Sequence, residues 1–202
     1  MQGSVSAVTD PAADVHDRPP ATVGVLLAAG GGTRYTGATH KLLAPLGTTT
    51  VFERALQAAL GAGFDELIVV TGAVALTLPD TVVECHNPNW AAGQATSVRR
   101  ALDEAVGLGA SAVVVGLGDQ PFVTTQAWRQ VAASTAAIAV ATYAGRRGNP
   151  VRLDASIWHL LPATGDAGAR SIMGVHPELV EEVPCEGSPA DIDTLEDLER
   201  WT

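Results

Sequence analysis

Three consecutive glycines, Gly30-Gly31-Gly32, are followed by Thr33-Arg34 and, seven residues beyond Arg34, by Lys41. Glycine leaves the main-chain N–H groups open to an approaching anion, while a guanidinium and an ammonium nearby can neutralise it. Of the 12 basic residues, 11 are arginines and Lys41 is the single lysine. The stretch is neither of two common phosphate motifs. No Lys-Ser/Thr pair closes it, and its glycines lack G-x-G-x-x-G spacing. By composition alone it is equally a tight turn. A carboxylate, Asp119, stands in Gly116-Leu117-Gly118-Asp119-Gln120-Pro121. At the end of a buried strand it can hold a hard cation against phosphate oxygens, although an aspartate there also forms turns. A further acidic stretch is Asp191-Ile192-Asp193-Thr194-Leu195-Glu196-Asp197. Asp193 with Glu196 fits a helix N-cap and its N3 acid, which leaves Asp191 free as a second carboxylate.

Such groups meet only if strand ends bring them together. Residues 23–28, 67–71 and 112–117 are uninterrupted apolar runs, the pattern of strands buried on both faces. Weaker strands are expected at 82–85, 138–143, 151–153 and 179–183. Helical patterns cover 51–60, closed by Gly61 as the residue after the C-cap, and 93–106. A third begins at a cap on Thr124 or Thr125 and runs to 134, and others cover 156–161, 167–173 and 193–201. Strands alternating with helices predict parallel crossovers and a three-layer α/β sandwich with a mostly parallel sheet. In such sheets ligands bind beyond the carboxyl ends of the strands, where the strand order switches. The glycine run and Asp119 each follow a strand expected to end at that edge. Residues 1–21, rich in Pro, Ala and Asp and including His16, are expected to form a disordered tail, and 22–202 a single domain.

Composition narrows the function classes. The 12 basic and 22 acidic residues leave a net charge of −10, which argues against a nucleic-acid binder. With 47% hydrophobic and 17% charged residues the composition is globular. No apolar run reaches the roughly 18 residues of a membrane helix, and the first 20 residues lack the basic start and apolar stretch of a secretory signal. Cys85 and Cys185, far apart, form neither a disulfide framework nor a zinc motif. A cytoplasmic protein that acts on neither membrane nor nucleic acid is expected. His86, His159 and His176 share no ligand spacing.

Several motifs occur in order: LAAGGGTR (27–34), HKLL (40–43), FERALQAALGAGFDELIVVTG (52–72), NPNWAAGQATSVRRAL (87–102), VVVGLGDQPF (113–122), GNPV (148–151), GDAGAR (165–170) and DIDTLEDL (191–198). Together they resemble the MobA-like nucleotidyltransferases, closest to the molybdenum cofactor cytidylyltransferases, over residues 23–201. The resemblance implies a Rossmann-like nucleotidyltransferase fold. It implies that Leu27, Ala28, Ala29, Gly30, Gly31, Gly32, Thr33 and Arg34 wrap a nucleoside triphosphate, with Arg34 and Lys41 on its phosphates. Thr71, Gly72, Gly93, Gln94 and Ser97 would line the base and ribose pocket, and Asp119 and Asp191 would hold Mg²⁺. Asn149, Asp166 and Arg170 would face the second substrate; independently of the resemblance, the pair Arg146-Arg147 just before Gly148 is either a solvated turn or a contact to the acceptor's phosphate. Ala28-Ala29 resembles the cytidylyl-transferring members rather than the guanylyl-transferring ones. Two departures stand out. Relatives read R-M-G-x-x-K where this chain has Arg34-Tyr35-Thr36-Gly37 and then Ala38-Thr39-His40-Lys41, and they carry His where Asn149 stands.

The implied activity is Mg²⁺-dependent transfer of CMP from CTP to the phosphate of molybdopterin cofactor, releasing pyrophosphate, with a recipient molybdoenzyme downstream. In-line attack on the α-phosphorus needs no protein nucleophile, only positioning and charge stabilisation, and Arg34, Lys41 and Asp119 are its catalytic residues. The alternatives are guanylyl transfer from GTP, transfer to another small phosphorylated acceptor, and a non-catalytic carrier of the finished cofactor.

Overall fold

The strand that leads into the glycine run is built to be covered on both sides. In the computed structural model, which describes residues 21–166 and 168–201, β1 (Thr22–Ala28) is buried from Val23 onward. The expected tail, apart from Ala21, lies outside the described residues, as do Ala167 and Thr202. Beyond β1 come the hairpin β2 (Pro45–Leu46) and β3 (Thr49–Thr50), then α1 (Val51–Gly61), β4 (Leu67–Thr71) and β5 (Val83–His86). The middle of the chain holds α2 (Gln94–Gly107), β6 (Ala112–Leu117), α3 (Thr125–Ala132), β7 (Ile138–Tyr143) and β8 (Arg146–Asp154). It closes with α4 (Gly168–Val175), β9 (Val180–Pro184) and α5 (Leu195–Glu199).

Seven strands form one sheet in the order β5-β4-β1-β6-β8-β7-β9. β8 alone runs against the others: it pairs antiparallel with both β6 and β7, while every other pairing in this sheet is parallel. The two-residue alternation of β1 divides the interior in two. Val23, Val25, Leu27 and Ala29 join a core covered by α2 and α4. Leu26 and Ala28 join a second core with Phe52 and Leu56 of α1 and Trp128 and Val131 of α3. This is the expected three-layer sandwich with a mostly parallel sheet.

From β1 the chain moves to β4 and β5 on one side and only later to β6 on the other. The order therefore switches between β1 and β6, and the loops leaving these two strands splay apart there. The strands are in register to their ends: Leu27 lies beside Leu117, and the Gly118 N–H donates to the Leu27 carbonyl at 2.8 Å. The glycine run and Asp119 thus leave neighbouring strand ends.

Local chemistry explains the element ends and corrects some of the expected ones. Thr50 and Glu53 form a capping box on α1. That helix runs through Gly61 to a right-handed Ala62, and the positive-φ glycine lies later, at Gly63 (φ 81°), not at Gly61. Thr124 caps α3. The strand expected at 151–153 is a nine-residue β8, and the helix expected at 156–161 is a 3-10 turn, Ala155–Leu160. The last helix is shorter than expected. Its cap is Thr194 with Asp197 at N3, so Asp193 and Glu196 are not the capping pair. That correction frees Asp193 for the site.

Candidate active site

Lys41 opens the 3-10 turn Lys41–Leu43 and reaches across the strand ends. Its ammonium lies 2.6 Å from Asp119 Oδ2 and 2.8 Å from Asp193 Oδ1. The side chain is 10% exposed. Burial opposes an ammonium, but the carboxylates of Asp119 and Asp193 outweigh it and hold the Lys41 pKa above its ordinary value. Arg34 binds the other oxygen of Asp193 at 2.7 Å while its side chain stays 75% exposed. The residues between Gly37 and Lys41 therefore do not keep the lysine from the site.

The acids are brought in by one buried side chain. Ile192 is fully buried, and its N–H donates to the Asp119 carbonyl at 2.9 Å. Asp191 and Asp193 flank it. Asp191 accepts a hydrogen bond from Gln120 Nε2 at 2.7 Å. Its pKa is raised by desolvation and then by the neighbouring carboxylates of Asp119 and Asp193. Asp119 Oδ1 is buried and has no hydrogen-bond partner. Arg34, Lys41, Asp119 and Asp191 thus converge on one strand edge, with Asp193 as an unforeseen centre of the ion pairs.

The glycine run earns its composition at two points. Gly32 sits at φ 58°, which disfavours any side chain. At Gly31 a Cβ would lie 2.8 Å from the Trp90 ring. Trp90 covers this loop from the 3-10 turn Trp90–Ala92, so it is a wall of the site. Behind it, Gly72 abuts the Ala29 carbonyl, where a Cβ would come within 2.7 Å.

Two cavities open along this edge. The larger, about 740 Å³, is lined by Leu27, Ala29, Gly30, Gly31, Thr33, Trp90, Gly93, Gln94, Ser97 and Asp119, among others. The smaller, about 340 Å³, has an apolar wall of Val98, Val115, Val140, Val151, Leu153 and Met173 and a polar rim of Arg147, Asn149, Asp166 and Arg170. Gln94, Leu117 and Asp166 line both. Asp166 Oδ1 also accepts from the Gln94 N–H at 3.0 Å and so caps α2, where Gly93 has no side chain to do it. Asn149 donates to Gln120 Oε1 at 3.1 Å, and Gln120 in turn holds Asp191, which links the small cavity to the acids.

Some expected lining residues stand elsewhere. Thr71 and Gly72 are not on the cavity wall. The Thr71 hydroxyl donates to Glu84 on the neighbouring β5 at 2.8 Å, and Gly72 packs against the Ala29 carbonyl and Trp90. Ala28 faces the α1–α3 core rather than the cavity. Arg146 is not among the cavity residues, whereas Arg147 is, paired to Glu182 at 2.8 Å. Sequence reasoning missed Asp193, Gln120 and the structural use of His40. The signal for Asp193 was an apolar residue set between two acids.

A family model described as the MobA-like NTP transferase domain matches residues 24–182. The chain is 33% identical to the nicotine blue oxidoreductase of Paenarthrobacter nicotinovorans, over 90% of this chain and 96% of that one. The crystal structure of Rv0371c from Mycobacterium tuberculosis superposes with a TM-score of 0.75 at 31% identity, covering 90% of this chain and 97% of that one. A structure of Rv0371c in complex with manganese gives 0.71 at 31% identity, with the same coverage.

Proposed function

Because the chain belongs to the MobA-like NTP transferase family and is a nucleotidyltransferase, we propose that it moves CMP from CTP to the phosphate of molybdopterin cofactor, releasing pyrophosphate. The observation that carries this reading is the contact between the two cavities. One is floored by glycine backbone and the other is largely apolar, and they join at Gln94, Leu117 and Asp166 beside Asp119. Two substrates in those cavities would meet at one point, which is what a direct transfer between them requires.

In this mechanism an acceptor phosphate oxygen attacks the α-phosphorus in line, and the bond to the bridging oxygen of the departing pyrophosphate breaks. The residues bind and neutralise; none becomes covalently attached. The open backbone of residues 30–32 receives the phosphates, and Lys41 and Arg34 offset the charge that builds on the leaving pyrophosphate. Gln94 and Asp166, common to both cavities, orient the partners. The donor set suits a hard divalent cation, since Asp119 Oδ1 is a buried oxygen without a partner and Asp191 and Asp193 stand beside it. Among the described residues no group of three or more His, Cys, Asp or Glu could hold a metal alone. Such an ion would therefore rest on one or two of these carboxylates and on the substrate's phosphates, the habit of Mg²⁺. When bound, it supplies charge neutralisation at the α-phosphate. The manganese in the Rv0371c complex supports a divalent ion here.

The CTP preference rests on the Ala28-Ala29 resemblance. No helix among the described residues is long and apolar enough to cross a membrane. The test is pyrophosphate release by the full chain with Mg²⁺, CTP and purified molybdopterin cofactor, expected with CTP and absent with GTP. Release with GTP alone would move the reading to guanylyl transfer, and release with sugar phosphates would change the acceptor. Pterin binding without release would leave a carrier.

A further inference from the structure

The glycine run has one tie that its own sequence does not explain. His40 caps the turn that carries Lys41, and the Leu42 N–H donates to its Nδ1 at 3.3 Å. A nitrogen that accepts carries no proton, so in the neutral ring the proton is on Nε2. Nε2 lies 3.1 Å from the Gly30 carbonyl and donates to it. The main chain thus selects the tautomer that the loop requires. We propose that His40 is a positioning residue of the nucleotide site: its imidazole fixes the curvature of the residue 30–32 loop through the Gly30 carbonyl, and so sets where that loop meets a phosphate.

Three further observations support this. A Cβ at Gly30 would meet no atom within 4 Å, so no side-chain packing at that residue duplicates the bond to the ring. Gly32, at φ 58°, leaves room for the same ring, because a Cβ there would lie 3.1 Å from His40 Nε2 and 3.1 Å from Lys41 Cγ. Burial, with the adjacent Lys41 charge, also lowers the His40 pKa and favours the neutral ring that can make both bonds. One side chain therefore couples the backbone cradle to the segment whose lysine is locked on Asp119 and Asp193.

The proposal rests on the reading that the loop receives nucleotide phosphates, and the test separates the two. His40→Asn keeps an acceptor at the reach of Nδ1 but has no donor at the reach of Nε2. His40→Gln does the reverse. On the full chain, two quantities are measured: hydrogen exchange at the Tyr35 amide, which donates to the Gly32 carbonyl at 3.0 Å, without ligand, and the dissociation constant of Mg–CTP. The Asn variant is expected to exchange faster and to bind Mg–CTP roughly tenfold more weakly, the scale of one hydrogen bond lost. Its circular dichroism spectrum should match that of the wild type. The Gln variant should keep both properties. The proposal is overturned if the Asn variant matches the wild type in exchange and affinity, or if the Gln variant fails as the Asn variant does. If the wild type binds no nucleotide, the functional reading falls, and the exchange comparison still decides whether the ring holds the loop.

Discussion

The two cavities that meet at Gln94, Leu117 and Asp166 are walled by opposite means. The larger is walled by bare glycines and Trp90, with Asp119 on its wall, and that acid is tied to an ion network behind it, a lysine shared with Asp193 and an exposed arginine. The smaller is shape: valines and leucines of β6, β7 and β8 form one wall and Met173 of α4 another. An ion network fails as a unit, because removing one member leaves the others charged and partly desolvated. An apolar wall yields by degrees, since each methylene contributes its own share. One half of the site is therefore expected to respond steeply to substitution and the other gradually.

Asp119→Ala tests the steep half most directly. It is expected to lower turnover with Mg–CTP by roughly 10²–10³-fold, on the scale of losing one preorganised electrostatic group, with the fold retained by circular dichroism. Near wild-type turnover would remove Asp119 from the mechanism and dissolve the contrast. Lys41→Met comes next. It leaves Asp119 and Asp193 facing each other with carboxylates only about a fifth exposed. It should cost about 2–3 kcal/mol in urea unfolding, somewhat less than a fully buried pair would. An unchanged midpoint would mean the ion pairs contribute no stability.

Met173→Ala probes the graded half. It should raise the acceptor KM about tenfold, the scale of a few lost apolar contacts, and leave the Mg–CTP constant unmoved. A shift in both constants would show that the cavities are not separable. The smallest effect is expected from Asp191→Asn, which keeps an oxygen for Gln120. The Asp191 pKa is raised, so its charge destabilises the fold above that pKa, and this cost vanishes as pH falls below the ordinary carboxylate value. The Asn variant should therefore melt higher than wild type at neutral pH, with the gain fading in acid. A lower melting point at neutral pH would mean that the charged form is favoured.

Much of the architecture was legible because it is written in short-range pattern. The apolar runs of β1, β4 and β6 have no polar alternation, and only a strand covered on both faces tolerates that. The loops after β1 and β6 followed from the same pattern, so the glycines and Asp119 were found where they stand. β8 was read as three residues because its first half, Arg146-Arg147-Gly148, carries no apolar signal and is held by pairing to β7. The resemblance implies Thr71 on the cavity wall, yet its hydroxyl turns to Glu84 on the next strand, a partner 13 residues away.

Asp193 shows where local reading stops. Asp193 with Glu196 and Thr194 with Asp197 are both acceptable caps by spacing, and a one-residue shift decides which acid is free. That shift is made by Ile192, which is fully buried and bonded to the Asp119 backbone some seventy residues away. By itself the sequence determined the layers, the candidate edge and the kinds of group found there, because those depend on periodicity and residue type. Only the tertiary structure decided which carboxylates share the lysine, which wall faces the second cavity, and that a histidine ring holds the glycine loop. Those contacts join segments distant along the chain, and their geometry depends on packing that no local pattern encodes.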